Sequence, residues 1–214
     1  MPKVVYHWKT KDFRGGSIVD LYTLRARMPE LFEGQSAKYQ TTSVRKHILA
    51  NTMIPNLGCL WNAAVHTSTV HPQIILDAKR RHGLPVDNAL VGQQYFTIPV
   101  QKLLDDPKVQ RMVHWDFPNP TPMTLLGFAL NVQQLRGVLG QWNAQDFQVL
   151  DQHYLDHTFA NRTALSPHAE VVYAKWGAAF RNGEAPQVLT YQGMPHVLVL
   201  GEIETDGLEI IEVS

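Results

Sequence analysis

The chain is predicted to fold as a single α+β domain, in which N-terminal, central and C-terminal strands build a mixed or antiparallel sheet and helices cluster between them. Three observations predict this. Val4-Val5-Tyr6-His7-Trp8 is short, β-branched and aromatic, which is the composition of a strand. Three further strand-like runs close the chain, Val188 to Tyr191, His196 to Leu200 and Leu208 to Val213, parted by Gly193 and by Asp206-Gly207. Between the ends lie capped segments with apolar residues at helical spacing, clearest in Ser166-Pro167 followed by Ala169, Val172, Tyr173, Trp176 and Phe180. No repeat, low-complexity tract or shift of composition divides the 214 residues.

Nineteen basic and nineteen acidic residues give a formal charge of zero, so no net field recruits nucleic acid or an anionic membrane wholesale. A hydrophobic content of 44% can build a sizeable core. The single cysteine, Cys59, excludes an intrachain disulfide and a multi-cysteine zinc site, and its apolar surroundings predict a buried packing role. No stretch reaches the roughly 20 apolar residues of a membrane span, and Met1-Pro2-Lys3-Val4 leads into no apolar signal core, so a cytoplasmic location and no membrane partner are expected.

Along the first strand, alternation puts Val5 and His7 on one face and Val4, Tyr6 and Trp8 on the other. Gly15-Gly16 breaks the loop that follows. Asp20 is placed to cap a short helix carrying Leu21, Leu24 and Met28, and Pro29 opens a second with Leu31, Phe32 and Tyr39. Thr41-Thr42-Ser43 is a further cap site before a helix from Val44 to Asn51, whose Arg45, Lys46 and His47 read as a solvated face. Together with Arg25, Arg27 and Lys38, these cations offer a phosphate site as the alternative.

The stretch from Asn56 to His82 is where the chain is most clearly built around something. An apolar run, Cys59 to Val65, gives way to His66-Thr67-Ser68-Thr69, and a helix starts at Pro72 and stops at Gly83. A histidine and three hydroxyls therefore stand where a strand ends and a helix begins, with the unpaired N–H groups and partial positive charge of the helix start nearby. Val91 to Val100 reads as a strand, and Leu103 to Met112 as a weak helix interrupted by Pro107. Residues 113 to 123 hold three prolines within five positions and are expected to be irregular, with His114, Trp115 and Phe117 either forming a lid or pinning the loop to the core. Leu125 to Val132 is another candidate strand. Asn143 is placed to cap a helix from Ala144 to Thr158, on which His153 and His157 lie one turn apart near Asp146; without the glutamate of HExxH this pattern assigns no metal.

Phosphate-loop, dinucleotide-fingerprint and nucleophile-elbow spacings are absent. What remains is spread along the chain: His7 on the first strand, His66 with Thr67-Ser68-Thr69 on a middle strand, and Glu202-Ile203-Glu204 late. That order resembles the ADP-ribosyltransferase superfamily, whose members carry a His or Arg on an early strand, a Ser-Thr-Ser or Tyr motif on a middle one and a late Glu. Val5-Tyr6-His7 and Pro195-His196-Val197-Leu198-Val199-Leu200-Gly201-Glu202-Ile203 are similar to bacterial members that modify nucleic acid.

The resemblance implies an enzyme that uses NAD to modify a macromolecular acceptor, either nucleic acid or protein. Cleaving the nicotinamide–ribose bond develops an oxocarbenium-like cation, which a positioned carboxylate stabilises. Glu204 then corresponds to the catalytic glutamate, with His7 and His66 beside it. His7 holds the nicotinamide-side ribose, Ser68 within Thr67-Ser68-Thr69 steadies the pocket, and Tyr6 or Tyr95 stacks on nicotinamide. Two departures stand out: the triplet is Thr-Ser-Thr, and His196 occupies the place where some bacterial relatives have the glutamate. In that second register the site is His7, His66 and His196, and the chain binds a nucleotide or nucleic-acid end without transfer. A third reading, metal-assisted hydrolysis through His153 and His157, rests on their helical spacing alone.

Overall fold

The computed structural model describes residues 2–37, 51–86, 91–116, 144–184 and 194–214. Eleven strands and six α-helices lie among them, in an α+β arrangement around one seven-stranded antiparallel sheet. The strands are β1 (Val4–Lys9), β2 (Ser17–Ile18), β3 (Met53–Ile54), β4 (Cys59–Leu60), β5 (Val65–Ser68), β6 (Gln94–Pro99), β7 (Val109–Trp115), β8 (Phe147–Val149), β9 (His196–Gly201), β10 (Ile203–Glu204) and β11 (Glu209–Glu212). The helices are α1 (Leu21–Arg27), α2 (Pro29–Ala37), α3 (Pro72–His82), α4 (Val100–Asp105), α5 (Gln152–His157) and α6 (Pro167–Arg181). The sheet order is β11-β6-β1-β5-β9-β7-β8, so strands from opposite ends of the chain meet at its centre. No helix among the described residues is long and apolar enough to cross a membrane.

The helix ends follow the local chemistry. Asp20 caps α1 by accepting from the N–H groups of Tyr22 and Thr23, and the Ser166 side chain accepts from Ala169 at the start of α6, where Pro167 needs no partner for its own nitrogen. His71 caps α3 in the same way, accepting from the N–H of Gln73. Gly83 ends α3 at φ 68°, a left-handed conformation that a side chain would strain.

The sheet is covered on both faces. Val5, Val65, Phe96, Ile98, Met112, Val197 and Val199 pack with Leu103 of α4 and Leu155 of α5. On the other face, Tyr95 joins Ile75 and Leu76 of α3 and Val172, Tyr173 and Trp176 of α6. At the far end of that face, Val113, Trp115, Phe147 and Leu198 pack with Ile54, Leu57 and Ala64. A single row of opposed residues crosses the whole sheet in strand order: Glu209, Thr97, Tyr6, Ser68, His196, Trp115 and Phe147. Residues directly opposed in an antiparallel sheet share a face, so Tyr6, Ser68 and His196 lie side by side between the two clusters of that face.

Four expectations are corrected. The segment read as a helix from Leu103 to Met112 is helical only to Asp105, and Val109–Trp115 is a strand, because Met112 pairs with Val199 and brings its neighbours into the ladder. Val113, His114 and Trp115 therefore belong to the sheet, with Trp115 buried. The segment from Ala144 to Thr158 is not one helix: a 3₁₀ turn, Ala144–Asp146, leads into β8, and α5 starts afresh from Asp151 as its cap. Asp146 is thus off the helix that carries His153 and His157. Cys59 is half-buried rather than fully enclosed, and burial pushes its thiol up to about 11. As expected, the late strands β9 and β11 join the main sheet, four places apart in its order, while β10 pairs with β2 in a separate ribbon. The expected helix from Val44, the strands Leu125 to Val132 and Val188 to Tyr191, Lys38, and the Arg45-Lys46-His47 group lie outside the described residues, apart from helical Asn51.

Candidate binding cleft between two splayed strands

Strands β1 and β5 are opposed only at Tyr6 and Ser68. Beyond that pair the antiparallel register would bring Trp8 opposite His66, but the strands part instead. The carbonyl of His66 is met by the His7 side chain, whose Nδ1 lies 2.9 Å away. A carbonyl only accepts, so Nδ1 of His7 donates. A side chain thus stands in for a missing backbone rung.

A cavity of about 230 Å³ opens into this split. Its floor is Tyr6, His7, Trp8 and Ala64 to Ser68, with His196, and its outer wall is Leu21 and Leu24 of α1, Met28 at the junction and Leu31 of α2. No side chain of α1 is buried, and in α2 only Ser36 is, so the apolar stripe of the hairpin faces the cavity and not a packed core. Arg27 forms an ion pair with Glu202, tying α1 to the link between β9 and β10. That pair holds the Glu202 carboxyl below its usual range.

The polar groups of the floor are turned toward the protein. His66 Nε2 donates to the Trp61 carbonyl at 2.7 Å, and the Trp61 ring tilts against the imidazole at 4.7 Å. His196 Nδ1 donates to the Met194 carbonyl at 2.6 Å. Thr67 Oγ1 donates to the Val197 carbonyl at 2.8 Å, and Ser68 Oγ accepts from the Val70 N–H at 3.0 Å. Burial pushes His196 down to about 3, assisted by the neighbouring His66 and His114 and opposed by the Met194 carbonyl. The ring is therefore neutral at neutral pH. Burial, with Glu209 further along the row, raises the Tyr6 phenol, whose ring stands edge-on to His71 at 5.0 Å.

Of the residues singled out from sequence, Tyr6, His7, His66, Thr67, Ser68 and His196 all line this one cavity. Three others do not. Glu204 pairs with Ser17 across the β10–β2 ribbon, but its own carboxylate is half-exposed and bound to Lys108 Nζ at 2.5 Å. Thr69 is buried behind the floor, where its N–H donates to the Pro195 carbonyl at 3.2 Å. Tyr95 is buried in the cluster with α3 and α6. The pairing of Ile203 with Ile18 sets the ribbon, and Lys108 is the cation within reach of Glu204 once it forms.

Sequence reading missed Trp61, Asn62, Arg14 and Asp20, which also line the cavity. A signal was there for two of them, since Trp61-Asn62 interrupts the apolar run before β5 with a bulky ring and an amide. Asp20 is the one acid among the described lining residues, and its oxygens are engaged as the α1 cap and by the Thr23 hydroxyl. The site thus offers aromatic surface, neutral imidazole and one outlying cation, Arg14, and suits the binding of a flat ring better than proton transfer. No group of three or more His, Cys, Asp or Glu side chains among the described residues is placed to hold a metal ion. In comparisons with known proteins, the chain matches no family model, no curated protein and no solved structure.

Proposed function

We propose that this chain is a nucleotide-binding protein whose ligand, with NAD as the leading candidate, enters the split between β1 and β5, and that it holds the nucleotide without transferring ADP-ribose. The observation that carries the reading is the division of the predicted residues: six of them share the cavity, while the Glu204 carboxylate is bound to Lys108 outside its lining. An oxocarbenium-like transition state needs a fixed negative charge beside it. A neutral His196 supplies none. The cavity is smaller than the roughly 300–1,000 Å³ of sites that enclose drug-sized ligands, which suits a base or nicotinamide ring with the phosphates toward the exposed Arg14.

A second reading keeps the transfer reaction to a nucleic-acid or protein acceptor. It is favoured by the row in which Tyr6, Ser68 and His196 stand on adjacent strands in the order that the family resemblance implies.

One experiment separates the two. NAD, ADP-ribose and AMP are titrated into the protein while unfolding temperature and nicotinamide release are followed. The binding reading expects NAD to raise the transition, by the equivalent of about 2.7 kcal/mol at a hundred times its Kd. It also expects no release, and at least tenfold weaker binding in His66→Ala, which loses the ring holding Trp61. Unchanged unfolding with all three nucleotides removes the proposal. Nicotinamide release that Glu204→Gln abolishes replaces it with the transfer reading.

A further inference from the structure

We infer that His153 and His157 form an exchangeable two-imidazole site for a divalent transition ion of the copper, nickel and zinc group, separate from the nucleotide cleft and independent of it. Both lie on α5, where residues four apart are neighbours on the helix surface. The side of α5 turned away from them is held down by Leu155, which packs into the core with Phe159. Asp151 fixes the start of the helix by accepting from the Tyr154 N–H at 2.8 Å. Both histidines are exposed, so an ion meets them directly from solvent.

The two rings stand 4.4 Å apart, centre to centre, and are tilted by 31°. Two imidazole nitrogens in adjacent positions around one ion, each about 2.0–2.1 Å from it, put their ring centres roughly 4.5–5 Å apart. The pair is therefore already at chelating separation, and an exposed ring turns about its own side-chain bonds without disturbing the core. His157 Nδ1 donates to the His153 carbonyl at 2.9 Å, since a carbonyl only accepts. That bond fixes the tautomer and leaves the lone pair of the neutral ring on Nε2, as a backbone carbonyl does for many metal-binding histidines. Imidazole suits copper, nickel and zinc, whereas magnesium and calcium call for oxygen donors. No third His, Cys, Asp or Glu among the described residues joins the pair. Water completes the shell, and the ion stays exchangeable.

The test titrates copper(II), nickel(II), zinc(II) and magnesium(II) into the full chain at neutral pH by calorimetry, with His153→Gln and His157→Gln alongside. Copper(II) is the strongest probe, because divalent affinities peak there. Loss of a group that merely orients a ligand weakens a metal site about 10–100-fold, so each variant, lacking a ligand itself, is expected to bind copper at least about tenfold more weakly. The electron paramagnetic resonance spectrum of the copper-loaded parent is expected to show coupling to two imidazole nitrogens. Without metal, His153→Gln should unfold at the parent's temperature. Copper affinity and spectrum unchanged in the variants overturn the inference, as does a loss confined to one of them, because the chelate needs both rings. So does failure of all three transition ions to bind, magnesium binding as tightly as zinc, or a marked fall in the metal-free stability of His153→Gln.

Discussion

His196 faces His66, Trp115 and Ser68 at the centre of the sheet, and its neutrality is the residue-scale fact with the widest reach. Its folded value of about 3 lies below the ordinary 6.5, so between those limits the unfolded chain binds the extra proton and stability falls as pH falls. Above about 6.5 both states are neutral and the contribution is fully present; below about 3 it is lost. His114, pushed to about 4 chiefly by burial, acts in the same direction over a narrower range. Urea unfolding from pH 7.5 down to 4 is expected to show a steady decline, and His196→Gln to flatten it by the part due to His196. An unchanged slope in that variant would mean that His196 is already protonated in the folded chain. The candidate site was legible at this scale wherever local pattern sufficed. His66-Thr67-Ser68 announced a polar strand end, and His7 an early polar position on a strand. Glu204 was not legible, because sequence cannot tell that Lys108, ninety-six positions earlier, takes up its carboxylate.

At the scale of elements, α3 and α6 pack so closely that Gly177 has no room for a side chain. A Cβ there would lie 2.1 Å from the His82 carbonyl oxygen, which is backbone and cannot swing aside. Alanine favours a helix over glycine by about 1 kcal/mol. Forcing the helices apart costs about 1–3 kcal/mol, and the packed Tyr173 and Trp176 would shift with them. The clash wins, so Gly177→Ala is expected to lower the urea midpoint; a raised midpoint would show that the two helices do not meet there. Glu170, which bonds both Arg81 and His82, ties the same pair of helices from the rim. The helices were readable because their signals are local: Asp20 before α1, Pro29 at α2, Pro72 and Gly83 around α3, Ser166-Pro167 before α6. Strand β8 and the first half of β7 were misread as helix, and the second half of β7 as irregular, because nothing local distinguishes Val109–Trp115 or Phe147–Val149. Both become strands through partners far along the chain, β9 for the first and β7 itself for the second.

Over the whole molecule, β1 and β9 come from opposite ends of the chain and both lie inside the sheet. The fold therefore closes only when the last tenth or so of the chain arrives, and non-local pairing of this kind makes folding slow. Removing residues 196–214 deletes β9 together with the buried Val197, Leu198 and Val199, and separates β5 from β7. The shortened chain is expected to show no cooperative unfolding transition by circular dichroism; a sharp transition would mean that the remaining strands form a sheet of their own.

The lone opposed pair of Tyr6 and Ser68 makes the sheet mechanically uneven. On one side a ribbon of β11, β6 and β1 is stitched by long ladders, and on the other so are β5, β9, β7 and β8. Between them sits a single rivet. Bending either ribbon internally would tear several rungs, whereas pivoting one against the other breaks, among the ladder contacts, that rivet and the His7 wedge beside it. Amides flanking the seam should accordingly exchange with deuterium ahead of those deep in either ribbon, and a guest lodged in the gap would slow them first.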